Sequence, residues 1–365
     1  MQVLVIGGTG PTGPHVVNGL IATGCTVTIL HTGRHEVDDI PASVEHIHTN
    51  PFDIAAVEEA LAGRTFDLVY AMYGRLRDLA RFFRGRCGRM LAVGGVPAYR
   101  GFALPQRNWP PGMLVPVRED ADRAVDDANV KVARIVQTED AFFEAHPDGA
   151  LFRYPLIYGP GQINPREWLI VRRILDGRRR IIVADGGLTL RSAGYGPNVG
   201  HALVLAASQL DAAAGKAYNV GDELTLTARQ TIELIAEGLG TEIEIVNLPA
   251  ELAAPARPFL SAETTLHKFT GVDAIRHDLG YRDVVPSPEA IKRTARYLAD
   301  NPVPRGSETE MRLQDPFDYE AEDRIIEAYR ALLHGARPVA DTYDPDFRDR
   351  YAPGSDDWRL VPPRS

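Results

Sequence analysis

The sequence predicts an α/β fold: a doubly wound parallel sheet followed by a smaller, mixed α/β half. Two observations carry this. Short apolar runs alternate with helical patterns over residues 1–161, as parallel strands joined by crossover helices do. The first run, residues 3–6, leads directly into Gly7, Gly10 and Gly13, and then into a segment with Val16, Val17, Leu20 and Ile21 on a helical period.

Each glycine of this strand–turn–helix has its own task. Gly7 allows the tight turn, Gly10 lets a pyrophosphate approach bare backbone, and Gly13 lets the helix sit close to the strand. The helix N-terminus adds amide donors and a partial positive charge. The stretch Gly7-Gly8-Thr9-Gly10-Pro11-Thr12-Gly13 therefore reads as the dinucleotide turn of a Rossmann-type sheet. No Gly-Lys-Ser/Thr follows, so a nucleoside-triphosphate loop is not supported.

Further strands are expected at Thr26–His31, 44–49, 67–71, 89–93 and Ala150–Tyr154. Helices are expected at Ile54–Leu61, with Asp53 as its N-cap, and at 124–145. Nucleotides bind at the carboxyl ends of such strands. Candidate cofactor contacts are therefore Gly7, Thr9, Gly10, Pro11, Thr12 and Gly13 in the turn, and the residues at or just past later strands: His31, Arg34, Asn50, Pro51, Met72, Tyr73, Tyr154, Pro155 and Ile157. After the second strand no acid occurs before Glu36, and Arg34 could pair with a 2′-phosphate. NADP is thus favoured over NAD, the other reading of Arg34 being a solvated loop arginine.

Composition narrows the partners. A net charge of −9 argues against nucleic acid, and no apolar run reaches membrane-spanning length. Two cysteines without zinc spacing, and a chain that enters its first strand at once, suggest a reducing, cytoplasmic compartment. Only four of the 40 basic residues are lysines (Lys131, Lys216, Lys268 and Lys292), so a lysine kept in a pocket would call for an explanation. No metal site is expected. His46 and His48 alternate along one strand and read as half-buried side chains rather than ligands.

The chain divides as 1–161, a dinucleotide-binding domain; 162–300, a substrate domain with segments interleaved with the first; and 301–365, an acidic extension. Residues 100–120 form a proline-rich loop carrying Trp109, read as part of a substrate-pocket wall. Trp168 lies on an expected helix at 166–176 and is a second candidate substrate contact. Strands are expected at 181–183, 217–220 and 242–247. Helices are expected at 199–208, after the capping box Thr227–Gln230, and at 289–298 behind Ser287-Pro288. The extension holds 14 acids and nine arginines, with one amphipathic helix at 319–333 whose inward face includes Leu332 or Leu333. Its aromatics, Tyr343, Phe347, Tyr351 and Trp358, suggest docking on the chain's own body or on a second subunit, so a homodimer is a candidate assembly; a disordered tail is the alternative.

Four motifs recur in order: the glycine turn, Tyr158-Gly159-Pro160-Gly161, Tyr218-Asn219-Val220-Gly221 before a Thr-capped helix, and Leu279-Gly280-Tyr281 before the last helix of residues 1–300. Together they resemble the extended short-chain dehydrogenase/reductases, in particular the NAD-dependent epimerase/dehydratase group. The resemblance implies a nicotinamide dinucleotide, a small-molecule substrate and a pocket between two domains. It also implies a tyrosine four residues before a lysine, with a serine or threonine nearby. Lys131 matches the lysine, but Asp127 stands four before it, and the serine position falls at Gly95.

Three readings follow. Lys131 grips the ribose while Tyr99, Tyr73 or Asp127 handles the proton; or hydride moves without a dedicated acid, as in reduction of a conjugated double bond; or the protein binds a nucleotide without redox chemistry. For Asp127 the plainer reading is a surface carboxylate paired with Lys131. Arg191, seven residues before Asn198, matches the family's substrate-phosphate arginine, with an inter-domain anchor as the alternative. The preferred function is NAD(P)-dependent reduction of a carbonyl or conjugated double bond, with a nucleotide-sugar epimerase or dehydratase and a non-catalytic nucleotide binder as alternatives.

Overall fold

The computed structural model describes residues 1–343 except Tyr73 and 126–128, with only the backbone described at Arg107. Asp127, Tyr73 and the aromatics beyond Tyr343 therefore lie outside the described residues. The chain forms two units, residues 1–317 and 318–365.

In chain order the first unit contains β1 (Gln2–Ile6), α1 (Gly13–Ala22), β2 (Thr26–His31), β3 (Glu45–His48), α2 (Ile54–Leu61), β4 (Phe66–Ala71), α3 (Leu76–Phe83), β5 (Cys87–Gly95), α4 (Val130–Ala145), β6 (Ala150–Tyr154) and β7 (Leu156–Tyr158). There follow α5 (Trp168–Leu175), β8 (Arg180–Ala184), β9 (Ala193–Tyr195), α6 (Gly196–Ser208), α7 (Leu210–Ala213), β10 (Ala217–Asn219), α8 (Ala228–Gly238) and β11 (Glu244–Leu248). Four helices complete it: α9 (Arg257–Leu260), α10 (Asp273–Leu279), α11 (Ser287–Asp300) and α12 (Glu308–Met311). The described part of the second unit holds α13 (Tyr319–Ala340), capped by the Asp318 carboxylate on the Ala321 amide at 2.9 Å. Leu332 and Leu333, expected to face inward, are exposed.

The main sheet has seven parallel strands in the order β10-β6-β5-β4-β1-β2-β3. Its order reverses beside β1, so the crevice of a doubly wound sheet opens at the carboxyl ends of β1 and β4. Period-two alternation buries β1 on both faces. Val3 and Val5 join a core with α1 and α6, while Leu4 and Ile6 join a second core with α2 and α3. Two small parallel pairs, β7–β9 and β8–β11, lie in the later half.

Two local expectations change. The helix predicted from residue 124 starts at Val130, where the Asn129 side chain accepts from the Lys131 amide at 3.0 Å. The preceding segment instead lies against the 96–100 turn through Ala124 N–H to Ala98 O (2.8 Å) and Arg100 N–H to Asp122 O (2.9 Å). Ser287 lies inside α11 rather than capping it, and its hydroxyl donates to Leu224 O at 2.8 Å.

A buried ion pair fixes α4 to the sheet. Arg153 of β6 donates two bonds to Glu139 of α4, both 2.9 Å, and a third to the Tyr99 hydroxyl at 2.6 Å. Tyr99 in turn donates to Asn219 Oδ1 at 2.7 Å, and the Asn219 amide donates to Glu119 at 3.0 Å. Glu139→Ala would leave a buried guanidinium unpaired and is expected to cost about 3–5 kcal/mol in denaturant unfolding, whereas a Glu139→Leu, Arg153→Met pair should restore most of that loss.

Candidate functional site

The glycine turn sits at the carboxyl end of β1. A Cβ on Gly13 would stand 2.1 Å from the Gly8 carbonyl oxygen, so only glycine lets α1 approach so closely. Gly7 adopts φ +105°, which favours glycine. At Gly10 an added Cβ would meet nothing within 4 Å, and the residue is exposed. Its backbone is therefore the open approach for a diphosphate, and the turn fits the group that the fold implies. Pro11 and Pro14 carry no N–H, and the Gly13 amide is taken by Gly10 O at 2.9 Å. Thr9, Gly10, Thr12 and His15 keep the remaining backbone N–H groups of residues 9–15.

Beyond the turn the crevice is built by contacts between distant segments. The Thr12 hydroxyl lies 3.2 Å from the Tyr154 hydroxyl, joining two expected cofactor residues. Met72 N–H donates to Ile6 O at 3.0 Å, which keeps the end of β4 beside the turn. Asn50 accepts from the Phe52 amide at 3.1 Å and Pro51 is buried, so that loop is shaped by its own backbone. Pro155 and Ile157 are partly buried around β7. Arg34 is exposed, and its backbone N–H donates to Thr32 Oγ1 at 3.4 Å.

Several candidates lie elsewhere than expected. Tyr99 is 1% exposed and its hydroxyl is held by Arg153 and Asn219, while burial pushes its pKa up to about 12. That makes it a structural hub, with its hydroxyl committed to Arg153 and Asn219. Lys131 is exposed in the first turn of α4. Trp109 is 93% exposed and so walls no pocket. Trp168 is 2% exposed in the later core, its indole N–H donating to Glu310 at 2.9 Å. Aromatic residue type alone does not distinguish a pocket wall from core.

Arg191 does reach a cleft, lined by Leu156, Tyr158, Arg166, Glu167, Asp222 and others. Arg191 donates to Leu260 O, and Arg166 to Pro258 O at 2.7 Å. Lys268 pairs with Arg191 across a parallel bridge, and its ammonium lies 4.9 Å from the Phe102 ring centre. Among the described residues no carboxylate forms an ion pair with any of these three cations. Burial, then Arg166, lowers the Arg191 pKa to about 10; burial, then Arg191, lowers Lys268 to about 8. Arg166 Nε and Glu167 Oε2 are buried without partners, and burial raises the Glu167 pKa. Arg166 repels Arg191 and Arg191 repels Lys268, while Glu167 offsets Arg166; cations so incompletely paired can receive an anion. The sequence offered a signal for Lys268, as one of only four lysines, but none for Arg166.

Asp222 forms one wall of this cleft. It accepts from the Tyr158 hydroxyl (2.6 Å), the Asn198 amide group (2.8 Å) and Tyr195 N–H (2.9 Å). Beside it, Tyr281 donates to Gly221 O at 3.0 Å and to Asp283 at 2.8 Å. Three of the four recurring motifs thus meet at one point.

At the ends of β2 and β3 the structure also brings His31, Glu36, His46 and His48 together. The reading of His46 and His48 as half-buried side chains rather than ligands did not anticipate this grouping.

The fold is shared with solved nucleotide-sugar epimerases and dehydratases. Solved structures with this fold include a UDP-galactose 4-epimerase (18% identity, 83% of this chain and 100% of that one, TM-score 0.61). A Thermotoga maritima UDP-glucose 4-epimerase with UDP-glucose matches at 18% identity over 82% and 99% of the two chains, TM-score 0.63. A Bacillus anthracis dTDP-glucose 4,6-dehydratase in complex with NAD matches at 14% over 83% and 97%, TM-score 0.62. No family model matches the chain, and no curated protein sequence matches it. Among the described residues no helix is long and apolar enough to cross a membrane.

Asp283 gives the Asp222 cluster a pH signature. Burial, then Asp222, raises its pKa to about 6. A carboxyl raised above its unfolded value contributes stability at low pH that is lost as pH rises through about 6. Wild type should therefore lose thermal stability relative to Asp283→Asn between about pH 4 and about pH 6, and a pH-independent difference would remove Asp283 from the account.

Proposed function

We propose that the protein is a nicotinamide-dinucleotide-dependent oxidoreductase whose small-molecule substrate carries phosphate, with nucleotide sugars the favoured class. The observation that carries this is the cleft with Arg166 and Arg191, flanked by Lys268, where among the described residues no acid forms an ion pair with Arg191 or Lys268 and Glu167 is the acid that offsets Arg166. Its place supports the reading. Tyr154 touches the dinucleotide turn, while Leu156 and Tyr158 line the cleft, and so few residues span at most about 14 Å. The sugar-nucleotide epimerases and dehydratase that share this fold add to the case.

When bound, the dinucleotide would accept or deliver hydride at its nicotinamide ring. The chain's own part is to hold it. Gly10 leaves room for the diphosphate, and Thr12 with Tyr154 offers hydroxyls beside it. Arg34 supports NADP over NAD, because Glu36, the first acid after β2, is turned toward His46 and His48. Lys131, exposed near the start of α4, is proposed to hold the ribose. A homodimer remains part of the proposal.

A second reading, reduction of a carbonyl or conjugated double bond with water supplying the proton, is favoured by Asp127 and Gly95 standing where the family has its tyrosine and serine. An epimerase must oxidise and re-reduce one carbon and so has greater need of that tyrosine.

Gly10→Ala should fold normally, since its Cβ meets nothing, yet lose dinucleotide binding by roughly 100-fold in fluorescence titrations with NADPH and NADH. Tighter NADH binding would defeat the Arg34 argument, and an unchanged variant would defeat the turn. Turnover of a nucleotide-sugar and enone panel separates the two reactions, and activity unchanged in Lys131→Ala would remove that lysine.

The anion cleft has its own test. Calorimetry with UDP or dTDP should show affinity roughly tenfold or more weaker in Arg191→Gln, and a decline as pH rises through about 8, where Lys268 loses its proton. Affinity independent of both would sink the phosphate assignment.

A further inference from the structure

We propose that His31, Glu36, His46 and His48 bind one divalent transition-metal ion of the zinc class in tetrahedral geometry. The inference is independent of the proposed reaction.

The geometry arises from strand register. β2 and β3 pair with His31 opposite His48, and His46 and His48 sit two residues apart on β3, hence on one face. All three imidazoles gather at the carboxyl ends of these strands. Glu36 comes from the 32–44 loop that joins them. His31 Nε2 and His46 Nδ1 are 3.1 Å apart, His46 Nδ1 and Glu36 Oε2 3.2 Å, His48 Nε2 and Glu36 Oε1 3.1 Å, and His31 Nε2 and Glu36 Oε1 3.8 Å. All four ligand atoms fall within 4.8 Å of one another. A tetrahedron with zinc–nitrogen and zinc–oxygen bonds of about 2.0–2.1 Å has edges of about 3.3 Å. Three of these separations lie within about 0.2 Å of that edge, while the widest, up to 4.8 Å, would close by about 1.5 Å on binding. The rings are mutually edge-on, with centroids 4.9–6.1 Å apart, so their nitrogens converge while the rings do not clash.

The donor set selects the ion. Three neutral imidazoles and one carboxylate suit zinc, cobalt(II) or nickel(II), and poorly suit magnesium or calcium, which prefer oxygen. Four protein ligands close a tetrahedral shell, which marks a structural ion. Its role follows from place: β3 is a four-residue edge strand, and the ion would tie the 32–44 loop, with Arg34 on it, to the sheet. Binding through His31 Nε2 puts its proton on Nδ1, so the long 3.4 Å contact from the Gly33 amide to Nδ1 would be given up.

The test uses the full chain, stripped with a chelator and titrated separately with zinc and cobalt(II). One ion per chain is expected, with the intense visible absorption of tetrahedral cobalt and a rise in Tm on adding zinc. His46→Ala and His48→Ala should each weaken binding by roughly 100-fold or more, while His277→Ala, an exposed control, should not. His48 is half-exposed, so its variant decides the matter if His46→Ala fails to fold. No saturable binding, a weakly absorbing octahedral cobalt spectrum, or affinity unchanged in His48→Ala would each overturn the proposal.

Discussion

The contact on which the structure depends most is the one between Gly13 and the Gly8 carbonyl. With no Cβ at Gly13, α1 drops onto the end of β1, and the turn between them is left with one open side at Gly10. The same descent brings α1 against α6. Added Cβ atoms at Gly196 and Gly200 would stand 2.6 Å from Pro11 O and 2.5 Å from His15 Cβ. Asn198 in α6 then reaches Asp222, the residue that walls the anion cleft. Close backbone packing at one turn thus aligns the crevice and the cleft.

Two kinds of inward-lying arginine occur in this fold, and the difference is electrostatic. Arg153 is matched by the carboxylate of Glu139 and tied to Tyr99 and Asn219, so its charge is satisfied within the fold. Arg166 and Arg191 hydrogen-bond to carbonyl oxygens, with Glu167 beside Arg166, and Lys268 finds an aromatic face. Carbonyls satisfy N–H groups without neutralising charge, so these cations are less fully compensated than Arg153. Structural arginine and ligand-seeking arginine are the same letter in the sequence; only the company each keeps separates them.

Much of the scaffold was legible because its signals are local. The strands Thr26–His31 and Ala150–Tyr154, the helix Ile54–Leu61 with its Asp53 cap, and the Thr227–Gln230 capping box stand where period and capping chemistry put them. The start of α4 was misjudged because Asp122 and Ala124 bond to a distant turn rather than along a helix. Trp109 and Trp168 were misjudged because a large aromatic suits surface loop, pocket and core alike. The histidine cluster was missed for a further reason: it depends on the register of β2 against β3, which pairs residues 17 apart.

The sequence by itself determined the alternation of strands and helices, the glycine turn and the motifs that mark this fold, because each is written in residues a few positions apart. Tertiary structure decided which charged groups share a cavity, which hydroxyls are already spoken for, and which imidazoles converge. Those outcomes depend on distances between segments tens to more than a hundred residues apart, and burial and charge compensation exist only once the segments have met.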